Sequence, residues 1–209
     1  IVVADALRPG HEIEYYPGAT NLLSADVRAI NKVGSAQPEQ ISAVRENVRR
    51  RNPGATVIES DLAIHVDGPQ SIAGRSALVV EDGPTLTHGG MPSGAGLLAA
   101  IRCGATTVVD PRPHAIGSIA AAFRENPHID RVLPALGYSE KQRRELAATI
   151  NAAGAEVVVD ASPAGLQQFL TLSMPVVRVR YRFRQTSGTP IEELADAYLD
   201  RSDGAADSR

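Results

Sequence analysis

The hydrophobic and polar positions of the chain alternate between two spacings. Runs that are almost continuously apolar, such as residues 1–4 and 76–80, are typical of strands that are buried on both faces of a parallel sheet. Segments such as residues 38–51 instead place apolar side chains on one face of a helix and charged side chains on the other. The alternation predicts an α/β protein with a mainly parallel sheet and helices on both faces.

Capping and turn residues place the remaining elements. Ser139, with Gln142 three positions later, predicts the start of a helix that ends before Gly154. Residues 11–24 contain two tyrosines and Pro17-Gly18, and we expect a mobile loop there. Strands are predicted at residues 1–4, 27–30, 55–58, 63–66, 76–80, 106–109, 131–134, 156–159 and 175–183. Helices are predicted at residues 38–51, 95–101, 116–124, 139–153, 164–172 and 190–199, and a disordered tail at residues 201–209.

The candidate site is the stretch of residues 80–96, which connects a predicted strand to a predicted helix. Open α/β sheets usually place their ligands in such polar loops, and the helix start offers unpaired N–H groups to an anion. The alternative is a surface crossover whose glycines only relieve steric strain. The residues that we single out are Glu81, Asp82, Thr85, Thr87, His88, Gly89 and Gly90.

Polar residues follow several of the other predicted strands as well. Parallel strands bring their carboxyl ends to one edge of a sheet, so we expect these residues to share that edge. Carboxylates gathered there favour Mg²⁺ or arginine partners, whereas the alternative for each is a helix cap or a surface ion pair. The strand-end residues are Asp5, Asn31, Glu81, Asp82, Asp110 and Asp160.

Two of these strand ends resemble parts of a nucleotide-binding fold. Asp5 stands where such folds hold a Mg²⁺-linked water, although a turn aspartate is an equally good interpretation. Asn31-Lys32 resembles the base-reading Asn-Lys-x-Asp loop of GTPase-like proteins, but Gly34 stands where the last aspartate would be. A turn asparagine beside a surface lysine is the alternative.

Composition narrows the class of protein without identifying its chemistry. Of the 209 residues, 43% are hydrophobic and 22% are charged, which is typical of a folded domain. The net charge of −3 provides no basic field, so we expect neither nucleic acid nor a membrane as a partner. Cys103 is the single cysteine and has no second cysteine in the chain for a disulfide. No signal peptide is visible, and the cytoplasm is the default location.

Five stretches together resemble the cyclic 2,3-diphosphoglycerate synthetase family. They are VADALRPGHE at 3–12, INKV at 30–33, VEDGPTLTHGGMP at 80–92, LPALGYS at 133–139 and PVVRVRY at 175–181. The resemblance covers about residues 1–185 and is specific in residues 80–96. It implies an ATP-dependent closure of the phosphoanhydride ring of 2,3-diphosphoglycerate, with Mg²⁺ and K⁺, by a homodimer. The nucleotide-binding half of this family is similar to the SIMIBI class of P-loop proteins.

The resemblance also implies roles for the candidate residues. We expect Asp5 to be the metal ligand, and Glu81, Asp82 and His88 to be catalytic. The residues that face the nucleotide or its phosphates are Asn31, Lys32, Thr85, Thr87, Gly89 and Gly90.

The chain departs from the family pattern at the phosphate-binding loop. No Gly-x-x-x-x-Gly-Lys-Ser/Thr occurs in the 209 residues, and the chain opens on a strand without an initiator methionine. We therefore expect missing upstream sequence and no ATP turnover by this fragment alone. The expected organisation is the remainder of a nucleotide-binding subdomain at residues 1–75 and a second α/β portion at residues 76–200.

Two other classes of function remain open at this point. Asn31-Lys32 is also consistent with a GTPase-like regulatory or metallochaperone module, although the chain lacks a Cys/His metal motif. The alternating strand near the C-terminus is consistent with a structural dimerisation domain.

Overall fold

The computed structural model describes residues 1–206 of the chain, with side chains as far as residue 200. The strands are β1 (Val2–Asp5), β2 (Val27–Asn31), β3 (Thr56–Val66), β4 (Ser76–Asp82), β5 (Thr107–Val108), β6 (Leu133–Ala135), β7 (Val157–Asp160) and β8 (Val176–Ser187). The helices are α1 (His11–Glu14), α2 (Gly18–Ser24), α3 (Pro38–Arg51), α4 (Gly83–Thr87), α5 (Ala95–Arg102), α6 (Gly117–Glu125), α7 (Glu140–Ala152) and α8 (Ile191–Ala206).

The chain forms two compact units. The first unit contains residues 1–63 and the chain from residue 182 onward, and the second contains residues 64–181. The last helix and the part of β8 from residue 182 onward thus lie in the first unit, and the division predicted at residue 75 stays a prediction. The assignment of the N-terminal part to nucleotide binding stays a prediction.

The first unit contains a parallel sheet in the order β1–β2–β3. On one face of this sheet Ile30 packs with Val44 and Val48 of α3. On the other face Ile58 packs with Leu194 of α8. Burial of side chains of this size contributes about 1.5–3 kcal/mol each, so both helices are held by the sheet.

The second unit repeats this arrangement. Strand β7 lies between β8 and β4, while β5 and β6 pair with the start and the end of the opposite edge of β4, and every one of these pairings is parallel. Val79 packs with Ala99 of α5 on one face. Leu78 packs with Ile119 of α6 and Leu146 of α7 on the other. The predicted α/β class, with a mainly parallel sheet and helices on both faces, is confirmed.

The prediction of a mobile loop at residues 11–24 is wrong, because α1 and α2 occupy this region. The guanidinium of Arg28, which is fully buried, donates hydrogen bonds to the Leu22 carbonyl at 2.8 Å and to the Asn52 carbonyl at 3.1 Å. Glu12 accepts a hydrogen bond from the Asn47 side chain at 2.7 Å. These long-range contacts order two short helices that have no strong periodicity of their own.

Three further expectations need correction. The first strand is not buried on both faces, since Val3 is 60% exposed, and among the described residues β1 is an edge strand that pairs with β2 alone. The expected helix at 164–172 is reduced to a 3₁₀ turn, Leu166–Gln168. Helix α8 runs on to residue 206, past the predicted end at 199, so the expected tail overlaps this helix, and residues 207–209 lie outside the described residues.

Among the residues that the structure describes, no helix combines the length and the apolar character needed to cross a bilayer.

The N-terminus of α7 provides a test of the local sequence reasoning. The Ser139 hydroxyl accepts a hydrogen bond from the Gln142 N–H at 3.2 Å, and the Gln142 side chain accepts one from the Ser139 N–H at 3.0 Å. We expect Ser139→Ala to lower the free energy of unfolding by about 1 kcal/mol, because it leaves a helix N–H without its partner. Ser139→Thr keeps the cap and is the control in urea denaturation. Equal stability of the alanine variant and the parent would contradict the assignment of this cap.

Candidate functional site

The carboxyl ends of β4, β6 and β7 lie side by side in the second unit. Val80 pairs with Asp160 across β4 and β7, and Asp82 pairs with Ala135 across β4 and β6. Within this unit the strand-end carboxylates therefore share one edge, as the parallel arrangement predicted. In the first unit Asp5 pairs with Asn31 in the same manner.

Glu81 is the most buried of the predicted catalytic residues, with 3% of its surface exposed. Its carboxylate accepts hydrogen bonds from the N–H groups of Gly94 at 3.0 Å and Leu97 at 2.9 Å, at the start of α5. Burial raises the pKa of Glu81, the N–H groups oppose this effect, and the neighbouring charge of Asp82 adds to it. The helix start that was expected to receive a ligand phosphate thus already holds a carboxylate of the protein.

The glycine at position 94 is required by this contact. A Cβ atom at Gly94 would lie 2.6 Å from the Oε2 atom of Glu81, closer than any real Cβ contact. A larger residue would push the carboxylate away from the helix start. This glycine therefore permits a close approach between the backbone and a charged side chain.

Asp82 begins α4 as its N-cap. Its Oδ2 atom accepts hydrogen bonds from the Thr85 N–H at 3.2 Å and from the Thr85 hydroxyl at 2.7 Å. An aspartate in this position satisfies one of the unpaired N–H groups and complements the helix dipole. Asp82 and Thr85 therefore cap the start of α4. The catalytic role of Asp82 and the phosphate contact of Thr85 stay predictions.

The segment after Asp82 is a packed helical turn rather than an open loop. Leu86 is fully buried in the core, and the Nε2 atom of His128 lies 2.9 Å from the Leu86 carbonyl. A Cβ atom at Gly89 would overlap the Thr85 carbonyl, so the turn closes tightly on itself. Gly90 then takes a left-handed conformation with φ of 64°. The predicted close-approach glycines thus shape the end of α4.

His88 stands at the end of this turn with an exposed side chain. Its backbone N–H donates to the Pro84 carbonyl at 2.9 Å, and its Nδ1 atom lies 2.9 Å from the Thr87 hydroxyl oxygen. The Thr87 hydroxyl also donates to the Gly83 carbonyl at 3.0 Å. The structure therefore brings Thr87 and His88 together and leaves the imidazole accessible to a substrate.

A second network at the same edge surrounds Asp160, a strand-end carboxylate for which an arginine partner was one of the expectations. Asp160, which is 1% exposed, accepts hydrogen bonds from the Ser162 hydroxyl at 2.6 Å, from the Leu166 N–H at 2.7 Å and from Arg178 at 2.8 Å. Arg178 is the fourth residue of the last predicted strand. Its alternation with valine indicated that the arginines and the valines lie on opposite faces of that strand. Nothing in the local sequence indicated that Asp160 is its partner.

Asp110 belongs to a more exposed pair. It follows β5 and accepts hydrogen bonds from the Arg112 guanidinium at 2.8 Å. The Arg112 hydrogen bond holds the pKa of the Asp110 carboxyl below its usual range, against the smaller effect of burial. A surface pair of this kind contributes about 0–1 kcal/mol to stability.

The strand ends of the first unit form a separate cluster around Asp5. Its Oδ2 atom lies 2.6 Å from the Lys32 Nζ atom and 3.9 Å from the Arg8 Nε atom, and its Oδ1 atom accepts the Leu7 N–H at 3.0 Å. Lys32 has a φ of 65° and is the non-glycine residue with left-handed backbone in the described chain. This strained conformation places its ammonium group on Asp5.

The surroundings of Asp5 bear on the predicted metal. A divalent cation on this carboxylate would have to displace Lys32 and would lie beside Arg8, so the arrangement does not fit a Mg²⁺ ligand. Among the described residues no group of three or more His, Cys, Asp or Glu side chains could hold a metal ion. The metal role of Asp5 stays a prediction.

Asn31 and Gly34 occupy the neighbouring loop. The side-chain oxygen of Asn31 accepts a hydrogen bond from the Ser60 hydroxyl at 3.1 Å. The carboxylate of Asp61 lies in the space that a side chain at Gly34 would need. Asp61 of β3 therefore occupies the space beside Gly34, the residue that replaces the base-reading aspartate. The nucleotide roles of Asn31 and Lys32 stay predictions.

The opposite pKa shifts of two glutamates provide a test of the site. Burial raises the pKa of Glu81, so the native state holds its proton more tightly than the unfolded chain, where a glutamate titrates near 4.5. The associated stability is present below that pH and is lost as the pH rises through the raised pKa. Relative to Glu81→Gln, we expect the parent to lose about 1.4 kcal/mol for each pH unit between the two pKa values.

Glu145 is the control with the opposite sign. Hydrogen bonds from the Ser118 hydroxyl and N–H lower its pKa, so its contribution to stability is present above pH 4.5 and is lost as the pH falls. Urea denaturation of the parent, Glu81→Gln and Glu145→Gln from acid to neutral pH separates the two effects. A parent whose stability relative to Glu81→Gln rises with pH would contradict the raised pKa of Glu81.

One comparison with a known protein bears on function. The chain is 48% identical over 198 residues to a curated protein named arginine synthetase ArcE from Thermococcus kodakarensis. The matched region covers 95% of this chain and 44% of that protein, so the chain spans less than half the length of this curated relative. No protein-family model matches the chain. The relative is named a synthetase, in agreement with the enzyme class that the motifs indicated, but its name does not contain cyclic 2,3-diphosphoglycerate.

Proposed function

We propose that this chain is one part of an ATP-dependent synthetase that forms arginine. The observation that carries the proposal is the identity of 48% over almost the whole chain to a protein with that name. The chain spans 44% of that relative, so the remaining parts of the proposed enzyme are not described by this structure. ATP, Mg²⁺, K⁺, a homodimeric state and a cytoplasmic location belong to the same proposal.

Arginine formation sets a clear chemical requirement. A guanidinium group forms when a nitrogen nucleophile replaces the oxygen of a ureido group, such as that of L-citrulline. Phosphoryl transfer from ATP to this oxygen makes it a leaving group, after which the nitrogen attacks the carbon and phosphate departs. The attacking nitrogen must lose a proton as the new C–N bond forms. A positioned base typically accelerates such a step by roughly 10²- to 10⁴-fold.

In the central segment, residues 80–96, His88 is the side chain that can act as this base. Its imidazole is exposed, and the backbone that carries it is held by the Pro84 carbonyl and by the buried Leu86. Glu81 and Asp82 support this position, since each carboxylate is engaged with a helix start. We therefore assign proton transfer to His88 and the ordering of the segment to the two carboxylates.

Ring closure of 2,3-diphosphoglycerate is the second candidate function. The specific observation in its favour is the resemblance of the central segment, VEDGPTLTHGGMP, to that family. Its nucleophile is a phosphate oxygen, which is already largely anionic at neutral pH because its second pKa is about 6. That reaction needs charge neutralisation more than a base, so an accessible imidazole acceptor favours the nitrogen nucleophile.

A chimera provides the most direct test of the proposal. The matched segment of arginine synthetase ArcE is replaced by this chain, and the folded chimera is incubated with ATP and Mg²⁺. One arm contains L-citrulline and ammonium, and the other contains 2,3-diphosphoglycerate. We expect ATP-dependent arginine in the first arm, and a loss of roughly 10²- to 10⁴-fold in the His88→Ala chimera without a matching loss of thermal stability.

Each outcome of the chimera experiment has a definite meaning. A cyclic phosphoanhydride in the second arm, detected by ³¹P NMR, would replace arginine formation with the second candidate. Nucleotide binding without any product would favour the regulatory module. An active chimera in which His88→Ala retains the parental rate would contradict the role of His88. Parental ArcE is the positive control for the whole experiment.

A further inference from the structure

The hydrogen bonds around Thr87 determine where its single hydroxyl proton lies. The Oγ1 atom of Thr87 is 3.0 Å from the carbonyl oxygen of Gly83, one helical turn earlier. A carbonyl oxygen only accepts hydrogen bonds, so the hydroxyl must donate its proton there. The same Oγ1 atom lies 2.9 Å from the Nδ1 atom of His88. Since the hydroxyl has no second proton, the Nδ1 atom of His88 must be the donor in this contact.

A neutral imidazole carries one proton, so a protonated Nδ1 leaves the lone pair on Nε2. The side chain of His88 is exposed, and its Nε2 atom has no hydrogen-bond partner among the residues that the structure describes. We infer that Thr87 is a positioning residue, which holds His88 in the Nδ1–H tautomer and so makes its outward-facing Nε2 atom the proton acceptor. In this inference Thr87 orients His88 rather than binding a phosphate of the nucleotide.

Two other histidines of the chain have the opposite arrangement. The Nε2 atom of His128 lies 2.9 Å from the Leu86 carbonyl, and the Nε2 atom of His65 lies 3.2 Å from a carboxylate oxygen of Asp67. Both partners only accept hydrogen bonds, so the Nε2 atom is the protonated one in each of these rings. The chain thus contains two internal references for the tautomer that His88 does not have.

The hydrogen bond between His88 and Thr87 is compatible with proton transfer at the Nε2 atom. When the Nε2 atom takes a proton from the attacking nitrogen, the ring becomes an imidazolium with a proton on each nitrogen. The Nδ1–H group continues to donate to the Thr87 oxygen, so this hydrogen bond is the same before and after the transfer. The catalytic part of this inference rests on the proposed function, whereas the tautomer is a property of the chain itself.

Long-range ¹H–¹⁵N NMR of the histidine rings tests the tautomer directly. The spectrum is taken on the chain at about pH 9, where a free imidazole side chain is neutral. A His88→Gln spectrum identifies the His88 signals. We expect a protonated Nδ1 and an unprotonated Nε2 for His88, and the reverse pattern for His65 and His128.

Two substitutions at Thr87 separate a positioning role from a merely structural one. Thr87→Ser keeps the hydroxyl, and we expect it to keep the tautomer of His88. Thr87→Val removes the hydroxyl and keeps the shape, and we expect the tautomer ratio to move toward Nε2–H by about 2- to 10-fold, the value of one ordinary hydrogen bond. The signals of His65 and His128 should remain unchanged in both variants.

The outcomes distinguish this inference from the proposed function. A parent His88 with its proton on Nε2, or a tautomer ratio that does not respond to Thr87→Val, would overturn the inference whatever the enzyme makes. In the arginine-forming chimera we expect Thr87→Val to lower kcat with little change in KM and Thr87→Ser to restore it. A chimera that forms no arginine would overturn the proposed function and leave the tautomer assignment standing.

Discussion

The buried carboxylate of Glu81 and the N-terminus of α5 hold each other in place. A carboxylate with 3% of its residue exposed loses most of its hydration, which is costly unless other groups replace the lost water. Two N–H groups of the helix start supply this replacement, and the positive end of the helix dipole adds to it. Since Glu81 is the penultimate residue of β4 and α5 begins at Ala95, this contact closes the segment between them. The helical turn α4 and the imidazole of His88 are positioned inside this closed segment.

The same device is used repeatedly in the second unit. Asp82 accepts the N–H of Thr85 at the start of α4, and Glu145 of α7 accepts the N–H of Ser118 at 2.9 Å near the start of α6. Asp160 accepts the N–H of Leu166 at the start of a 3₁₀ turn. These carboxylates satisfy backbone groups that would otherwise remain unpaired. The hydrogen bonds of these carboxylates are thus explained by helix capping. The exposed imidazole of His88 is the group of the central segment that is available for chemistry.

The parts of the fold that depend on local sequence could be predicted. Helix α3 runs over Pro38–Arg51 as its apolar spacing predicted, and the capping box of α7 is present. The strand-end carboxylates were also placed at the correct edge within the second unit. Their partners were not predictable, because the contact of Glu81 with Leu97 depends on a helix start that only the folded chain brings near. The helices at residues 11–24 depend in the same way on the buried Arg28. The tautomer of His88 could not be inferred from sequence, since it follows from a contact between the Thr87 hydroxyl and the Gly83 carbonyl.

Because Glu81 occupies the N–H groups at the start of α5, we conclude that this helix start is not a phosphate site. The most direct measurement is a titration of the ¹⁵N-labelled chain with inorganic phosphate, followed at the amide signals of Gly94 and Leu97. We expect no saturable shift of these signals in the parent, because their N–H groups already donate to the Glu81 carboxylate. In a Glu81→Ala variant that remains folded, the same amides become unpaired donors and should shift on phosphate addition. A saturable shift at Gly94 and Leu97 in the parent chain would show that a ligand anion displaces the carboxylate, and would contradict the account.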